Sequence, residues 1–253
     1  MRKFVLDQRL AAAASLVRPG AIVADIGCDH GMLAAHLVME GKAKHVYASD
    51  VNEKPLSQAK ALIQRYGLVQ SVTTVLSDGL EQISQTVDTI IMCGMGGELI
   101  ADLIQPAKWV FQPGKRLVLQ PMTFADKLRK WLAYNGFTIQ KEIPVLEPTH
   151  TYCVMAVEYT GQTLELSDFQ AVAGKILPST KDGQEYLQRQ LKKVYPYAAR
   201  AGACEAKKRK TGTNSTASGS VTRVSKPSCD RIGEDFYGYC KTNRTLYRLF
   251  CPF

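Results

Sequence analysis

Long hydrophobic runs are absent from this 253-residue sequence. No stretch approaches the roughly 20 apolar residues that a membrane-spanning helix needs. Its start, Met1-Arg2-Lys3-Phe4 leading into Asp7, Gln8 and Arg9, lacks the apolar core of a secretory signal. A cytoplasmic protein with no membrane partner is the expectation. Paired cysteine spacing is absent too: the seven cysteines are an odd number and form no C-x-x-C pair. Cys28, Cys93 and Cys153 lie in apolar or motif segments, which suits reduced, buried thiols better than a disulfide framework or a zinc site. The four histidines show no ligand spacing, so no metal is expected.

Acidic charge is scarce at one end only. Residues 1–174 carry 16 Lys/Arg against 17 Asp/Glu, a net of −1, whereas residues 175–253 carry 16 against 6, a net of +10. A basic surplus invites a polyanionic partner, because neutralised phosphates dominate nucleic-acid affinity. Hydrophobic content of 45% is ordinary for a globular chain, and the length suffices for one well-buried domain plus an appendage.

The first 160 residues alternate. Leu6, Leu10, Ala13, Ala14 and Val17 recur at helical spacing until Pro19-Gly20. Strands are then expected at 21–26, 45–49, 71–76, 89–93 and 116–119. Helices are expected to about 39, at 54–66, briefly at 80–83, at 98–104 and at 125–135. The segments 137–143 and 152–159 have no helix between them and read as a closing antiparallel pair. This alternation implies right-handed βαβ units and a largely parallel α/β sheet. Residues 161–193 remain helix-compatible. Periodicity stops after Lys193, and the stretch from Lys207 to Ser228 is basic, then rich in Thr, Ser, Gly and Asn. That composition cannot bury enough surface to offset its ordering entropy. The expected organisation is an α/β domain at 1–160, the start of a helical module at 161–193, and a basic, poorly ordered tail at 194–253.

The chemistry begins at Val23-Ala24-Asp25-Ile26-Gly27-Cys28-Asp29-His30-Gly31, a strand running into a Gly-rich turn and a helix. Cofactors of open α/β sheets lie outside the carboxyl ends of the strands, where close backbone approach demands glycine. Gly27 would pass beneath the methionine part of a cofactor, and Gly31 would let the helix pack closely. Asp50 ends the next strand, about 25 residues beyond Asp25, where an acid can accept both ribose hydroxyls of an adenosyl group; Val51 and Asn52 follow it. Ser77-Asp78-Gly79 ends the third strand, where a carboxylate can accept the adenine amino group. Each acid alone could be a turn or helix cap; three at successive strand ends favour an adenosyl cofactor. A nicotinamide dinucleotide fits less well. The spacing Gly27-x-x-x-Gly31 is not G-x-G-x-x-G, and Asp29 would repel a pyrophosphate that a cationic sulfonium cofactor tolerates. The fourth strand ends in Cys93-Gly94-Met95-Gly96-Gly97, expected to face the transferred methyl group.

Taken together, Asp25 through His30, Gly94 through Gly97 and Leu119-Gln120-Pro121 resemble the bacterial tRNA adenine-22 N1-methyltransferase family. The resemblance runs from about Leu6 to about Glu158. It includes Arg9-Leu10, Val51-Asn52-Glu53-Lys54-Pro55 and the run Arg129 through Phe137. It implies a Rossmann-like class I fold using S-adenosyl-L-methionine, with tRNA as partner and a C-terminal helical module that grips it. N1 of neutral adenine is a poor nucleophile, so the base must be freed, aligned and stabilised as its charge develops. Asp29 is the candidate for that stabilisation, or else a ligand of the methionine amino group. His30 would orient it or cap a helix, and Arg9 would meet phosphate or pair with an acid at the site. Gly94, Met95 and Gly96, with Gln120 and Pro121, would shape the base pocket. Lys127, Arg129 and Lys130 would contact RNA or form only a solvated helix face. The sequence departs from the family after residue 193, at Val194-Tyr195-Pro196-Tyr197, where either the reading frame changes or an authentic basic tail begins. Runner-up readings are a methyltransferase of another RNA or a small molecule, and a catalytically weak RNA-binding protein that keeps the fold. The expected assembly is a monomer.

Overall fold

The computed structural model describes residues 5–194. The chain divides into one compact unit up to Leu166 and another from Ser167. Apart from Val194, which ends a helix, the expected tail with Tyr195-Pro196-Tyr197 lies outside the described residues, as does the frame-change alternative.

In the first unit, Asp7 accepts a hydrogen bond from the Leu10 amide (2.8 Å) and starts α1 (Gln8–Ser15). Capping the exposed amides of a first turn in this way is what short acidic side chains do well. Ala13 and Ala14 of α1 are buried, with Leu16 and Val17 just beyond it. The units β1 (Ala21–Ile26), α2 (Met32–Met39), β2 (Ala43–Asp50), α3 (Glu53–Arg65) and β3 (Val72–Leu76) follow. Then come β4 (Thr89–Gly96), α4 (Gly97–Ile104), a 3-10 turn at Lys108–Val110, β5 (Arg116–Thr123), α5 (Ala125–Tyr134), β6 (Phe137–Leu146) and β7 (Thr151–Tyr159).

The seven strands order as β3-β2-β1-β4-β5-β7-β6. Pairs among β1 to β5 are parallel, while β7 is antiparallel to both β5 and β6. Thus α5 carries the chain over to β6, two strand positions beyond β5, and the hairpin returns β7 into the gap. Central strands buried on both faces read as continuous apolar runs, as in Ile90, Ile91 and Met92, all fully buried. The order reverses direction at β1, with β2 on one side and β4 on the other. That switch point opens a crevice at the strands' carboxyl ends.

Two expectations need correction. No helix forms at 80–83. The Gln82 amide donates to Ser77 Oγ (3.0 Å), and the Glu81 and Ile83 amides close separate turns onto the Asp78 and Leu80 carbonyls. A side chain competing for a backbone donor breaks the helical ladder. β4 and β5 also run further than their apolar cores, to Gly96 and Thr123. Their register shifts at Cys93/Met95 and Met95/Gly96 let pairing continue past Gly94.

In the second unit, Ser167 and Gln170 form a reciprocal capping box at the start of α6 (Asp168–Ala173). α7 spans Lys181–Val194. Phe169, Val172, Ile176, Tyr186, Leu187 and Leu191 are buried. Among the described residues, no helix is long and apolar enough to cross a membrane, and no group of three or more His, Cys, Asp or Glu could hold a metal ion.

Candidate active site

The carboxyl ends of β1, β2, β3 and β4 converge on the switch point. Asp25, near the end of β1, is buried, and its Oδ2 has no hydrogen-bond partner. Burial first, and the nearby Asp50 charge second, push its carboxyl up to about 7. A buried, unsatisfied carboxylate is costly, and such a cost is characteristic of a group awaiting a cationic or hydrogen-bonding ligand. Ser49 Oγ, at the end of β2, is likewise buried without a partner. Sequence reasoning passed over Ser49 because a serine inside an apolar strand carries no signal of its own.

The turn after β1 is held open by its backbone. Gly27, Asp29 and Gly31 have φ of +71°, +49° and +70°. The Cys28 amide donates to the Ser49 carbonyl (2.9 Å), and the Gly31 amide to the Cys28 carbonyl (2.8 Å). A Cβ on Gly27 would come within 2.5 Å of Met95 Cε, and one on Gly31 within 2.9 Å of Ala59 Cβ on α3. Gly31 therefore brings α2 against α3, as its place in the turn suggested. Asp29 and His30 stand out from this turn, largely exposed, with His30 Nε2 3.4 Å from Asp29 Oδ2.

Asp50, half-buried, accepts from the Asn52 amide through Oδ1 (2.9 Å). Val51 and Asn52 are exposed beside it, and Asp78 and the buried Gly79 lie just past β3. On the other side of the crevice the Gly94 amide donates to Gln120 Oε1 (3.0 Å). Nothing lies within 4 Å of where a Gly94 Cβ would stand. Gln120 is fully buried, and its Nε2 donates to the Pro121 carbonyl (3.1 Å). Gln120 thus acts through Gly94, fixing the turn rather than reaching into the opening. Burial, with the Asp25 charge next, pushes the Cys93 thiol up; burial and the Asp25 and Asp50 charges do the same to Cys28. Both stay protonated at neutral pH, which removes them as nucleophiles.

Arg9 reaches from α1 to the far strands. Its Nη2 pairs with Asp7 (2.9 Å), its Nε faces Glu147 (3.5 Å) and its Nη1 meets Met122 Sδ (3.2 Å). Its guanidinium also lies over the Tyr152 ring at 5.7 Å. Two carboxylates on one guanidinium favour acid pairing over a free phosphate contact. Arg9 clamps α1 beside the carboxyl end of β5.

The basic run on α5 separates into different environments. Arg129 is a correction: it is 1% exposed, and its Nε donates to Glu142 Oε1 on β6 (2.9 Å). Its Nη2 also donates to Cys153 Sγ (3.3 Å). Helical spacing puts Arg129 on the sheet-facing stripe with Leu128, Leu132 and Ala133, so it is an internal ion pair and no RNA contact. Lys127 remains exposed, bound to Glu98 (2.7 Å), and Lys130 is exposed as well.

The arrangement fits an adenosyl sulfonium cofactor. A buried carboxyl with an unpartnered Oδ2 lies at the switch point, further acids stand at the second and third strand ends, Met95 Cε closes on Gly27, and the space where a Gly94 Cβ would stand is open. Residues 6–155 match a family model described as a methyltransferase domain. The tRNA (adenine(22)-N(1))-methyltransferase of Bacillus subtilis is 30% identical over 178 residues, covering 70% of this chain and 75% of its own. A Streptococcus pneumoniae protein, described as a candidate tRNA (m1A22) methyltransferase and solved with S-adenosyl-L-methionine, is 30% identical. It has a TM-score of 0.68 and covers 81% of this chain and 97% of its own. TrmK of M. capricolum, solved with S-adenosyl-homocysteine, shares the fold at 24% identity and a TM-score of 0.60, over 75% of this chain and 96% of its own. With the strand order, the acids at the switch point and these similarities in agreement, the chain belongs to the tRNA (adenine(22)-N(1))-methyltransferase family.

Proposed function

We propose that this chain methylates N1 of adenine 22 in tRNA, with S-adenosyl-L-methionine as methyl donor. The observation that carries the reading is the buried Asp25 carboxyl, whose Oδ2 has no hydrogen-bond partner, beside the Asp50 charge at the switch point. When bound, the cofactor supplies an electrophilic methyl group on a cationic sulfur.

Asp25, Gly27 and Gly31 would hold its methionine end, Asp50 with Val51 and Asn52 its ribose, and Asp78 with Gly79 its adenine. Cys93 and Gly94 border the space where methyl donor and acceptor meet. Gly94, Met95, Gly96 and Pro121 form the wall for the target base, and Gln120 keeps that wall in place by accepting the Gly94 amide. Asp29, with His30 Nε2 3.4 Å from it, would be the carboxylate that favours positive charge developing on the adenine ring and takes an amino proton. Positioning supplies most of the remaining acceleration, since N1 must approach the methyl in line. Lys127 and Lys130 on α5 are the candidate phosphate contacts on this side.

The test is methyl transfer from isotopically labelled cofactor to an unmodified tRNA transcript, followed by nucleoside mass spectrometry. The expected product is 1-methyladenine, abolished when adenine 22 is replaced by guanine. Label at another position, or in another nucleoside, would overturn the assignment.

A further inference from the structure

Phe124 stands at the carboxyl end of β5, three residues past Pro121, and it is in an unusual state. Its φ is +54° and its ψ 40°, a left-handed conformation that a residue with a Cβ adopts only against steric resistance. Apart from Asp29 in the cofactor turn, no other described non-glycine residue has positive φ. The turn itself explains the backbone. A Cβ on Gly97 would come within 2.5 Å of the Phe124 carbonyl oxygen, so the start of α4 lies hard against this peptide. The Leu128 amide donates to the same carbonyl (3.0 Å), opening α5.

None of this requires a phenyl ring; glycine or asparagine would meet the turn with less resistance. The ring is not buried to compensate, for Phe124 is 49% exposed. Lys127 Nζ lies 4.3 Å from its centroid and is itself anchored by Glu98 (2.7 Å). One face is thus backed by a fixed ammonium. Met122, also exposed at 36%, and Thr123 lie between it and Pro121 in the chain.

We infer that the Phe124 ring is a stacking platform for a tRNA nucleobase beside the methylated adenine. The inference rests on the proposed tRNA activity and adds a substrate-binding residue to it. At about 3.3 Å per strand residue, Phe124 lies roughly 10 Å along the chain from Pro121, the scale of a neighbouring nucleotide. A flat aromatic face accepts any base, and an ammonium behind it suits a polyanion. A freed target base requires its neighbours to be held apart from it, which a platform outside the pocket accomplishes.

The test compares Phe124→Leu, Phe124→Gly and Phe124→Trp with the wild-type full chain, using an unmodified tRNA transcript. Leucine keeps apolar bulk but removes the π face, and glycine also relieves the left-handed backbone. Both should raise KM and Kd for the transcript between about fivefold and a hundredfold, with kcat and cofactor affinity nearly unchanged. Tryptophan should retain wild-type values, and the glycine variant should melt no lower than wild type. Unchanged transcript Kd in the leucine variant overturns the platform. So does a glycine variant that melts lower and loses cofactor affinity, which would mark a structural residue. Failure of the tRNA reading is separate, because it appears in the wild-type protein as a lack of methyl transfer to the transcript.

Discussion

Replacing Asp25 by asparagine should stabilise the ligand-free protein above neutral pH while weakening its hold on S-adenosyl-L-methionine. The Asp25 carboxyl sits at about 7 in the fold against an ordinary 3.8, raised by burial and then by Asp50. Between those two values the folded chain holds the proton that the unfolded chain has lost. Stability therefore falls as pH rises from about 4 to about 7 and levels off above, since slope follows protons bound unfolded minus folded. At about 1.4 kcal/mol per pH unit, the ionised carboxylate costs the empty fold about 4 kcal/mol at pH 8. Asparagine removes the charge but leaves a buried polar group, which takes back roughly 1–3 kcal/mol. The net gain is about 1–3 kcal/mol, or several degrees of melting temperature for a chain of this size. Thermal unfolding of both proteins at pH 5 and pH 8 isolates the Asp25 contribution as a difference of differences. Calorimetric titration of the cofactor supplies the other half. Loss of a charge-assisted bond to its amino group should weaken binding about tenfold or more, and wild-type affinity should rise as pH increases toward 7. A variant that melts lower than wild type at pH 8 and binds the cofactor unchanged would refute the reasoning.

Asp50→Ala should leave the fold intact and weaken cofactor binding by about 1.5–3 kcal/mol, read by calorimetry, because the Asp50 carboxylate is the expected acceptor for the ribose hydroxyls. Asp29→Asn should lower turnover at saturating cofactor far more than it changes cofactor affinity; a parallel loss of both in steady-state and binding assays would make Asp29 a ligand only. Arg129→Ala should destabilise by about 3–5 kcal/mol in chemical denaturation, since it leaves Glu142 charged inside the fold, and an undiminished midpoint would contradict the internal pair.

Local pattern reached a long way in this chain. Alternating strand and helix periods, Pro19-Gly20 and Asn135-Gly136 as stops, and acids at three successive strand ends all depend on residues close in sequence. They were enough for the α/β class, the closing antiparallel pair and the adenosyl cofactor. The same spacing rules overran at 80–83, where Ser77 Oγ diverts an amide that a helix would need. Motif resemblance pointed to Gly94 and Gln120 together, but their relation was a matter of register. Pairing of Cys93 with Gln120 brings the glutamine oxygen to the Gly94 amide 26 positions away.

What only the tertiary structure decided is the environment of each side chain. Arg129 and Lys130 are adjacent basic residues on one helix, yet packing of α5 encloses the first with Glu142 and leaves the second exposed. Arg9 could have met a phosphate, until the hairpin carried Glu147 and Tyr152 to it from the other end of the domain. Asp25 was legible as a candidate site acid, but its shifted titration required burial at the switch point beside Asp50. Phe124 had no sequence signal at all, because a phenylalanine before a helix is unremarkable until its backbone angle and exposure are known. Sequence periodicity records which faces are apolar over a few residues. Desolvation and charge pairing depend on residues distant in the chain, and they exist only once the sheet has assembled.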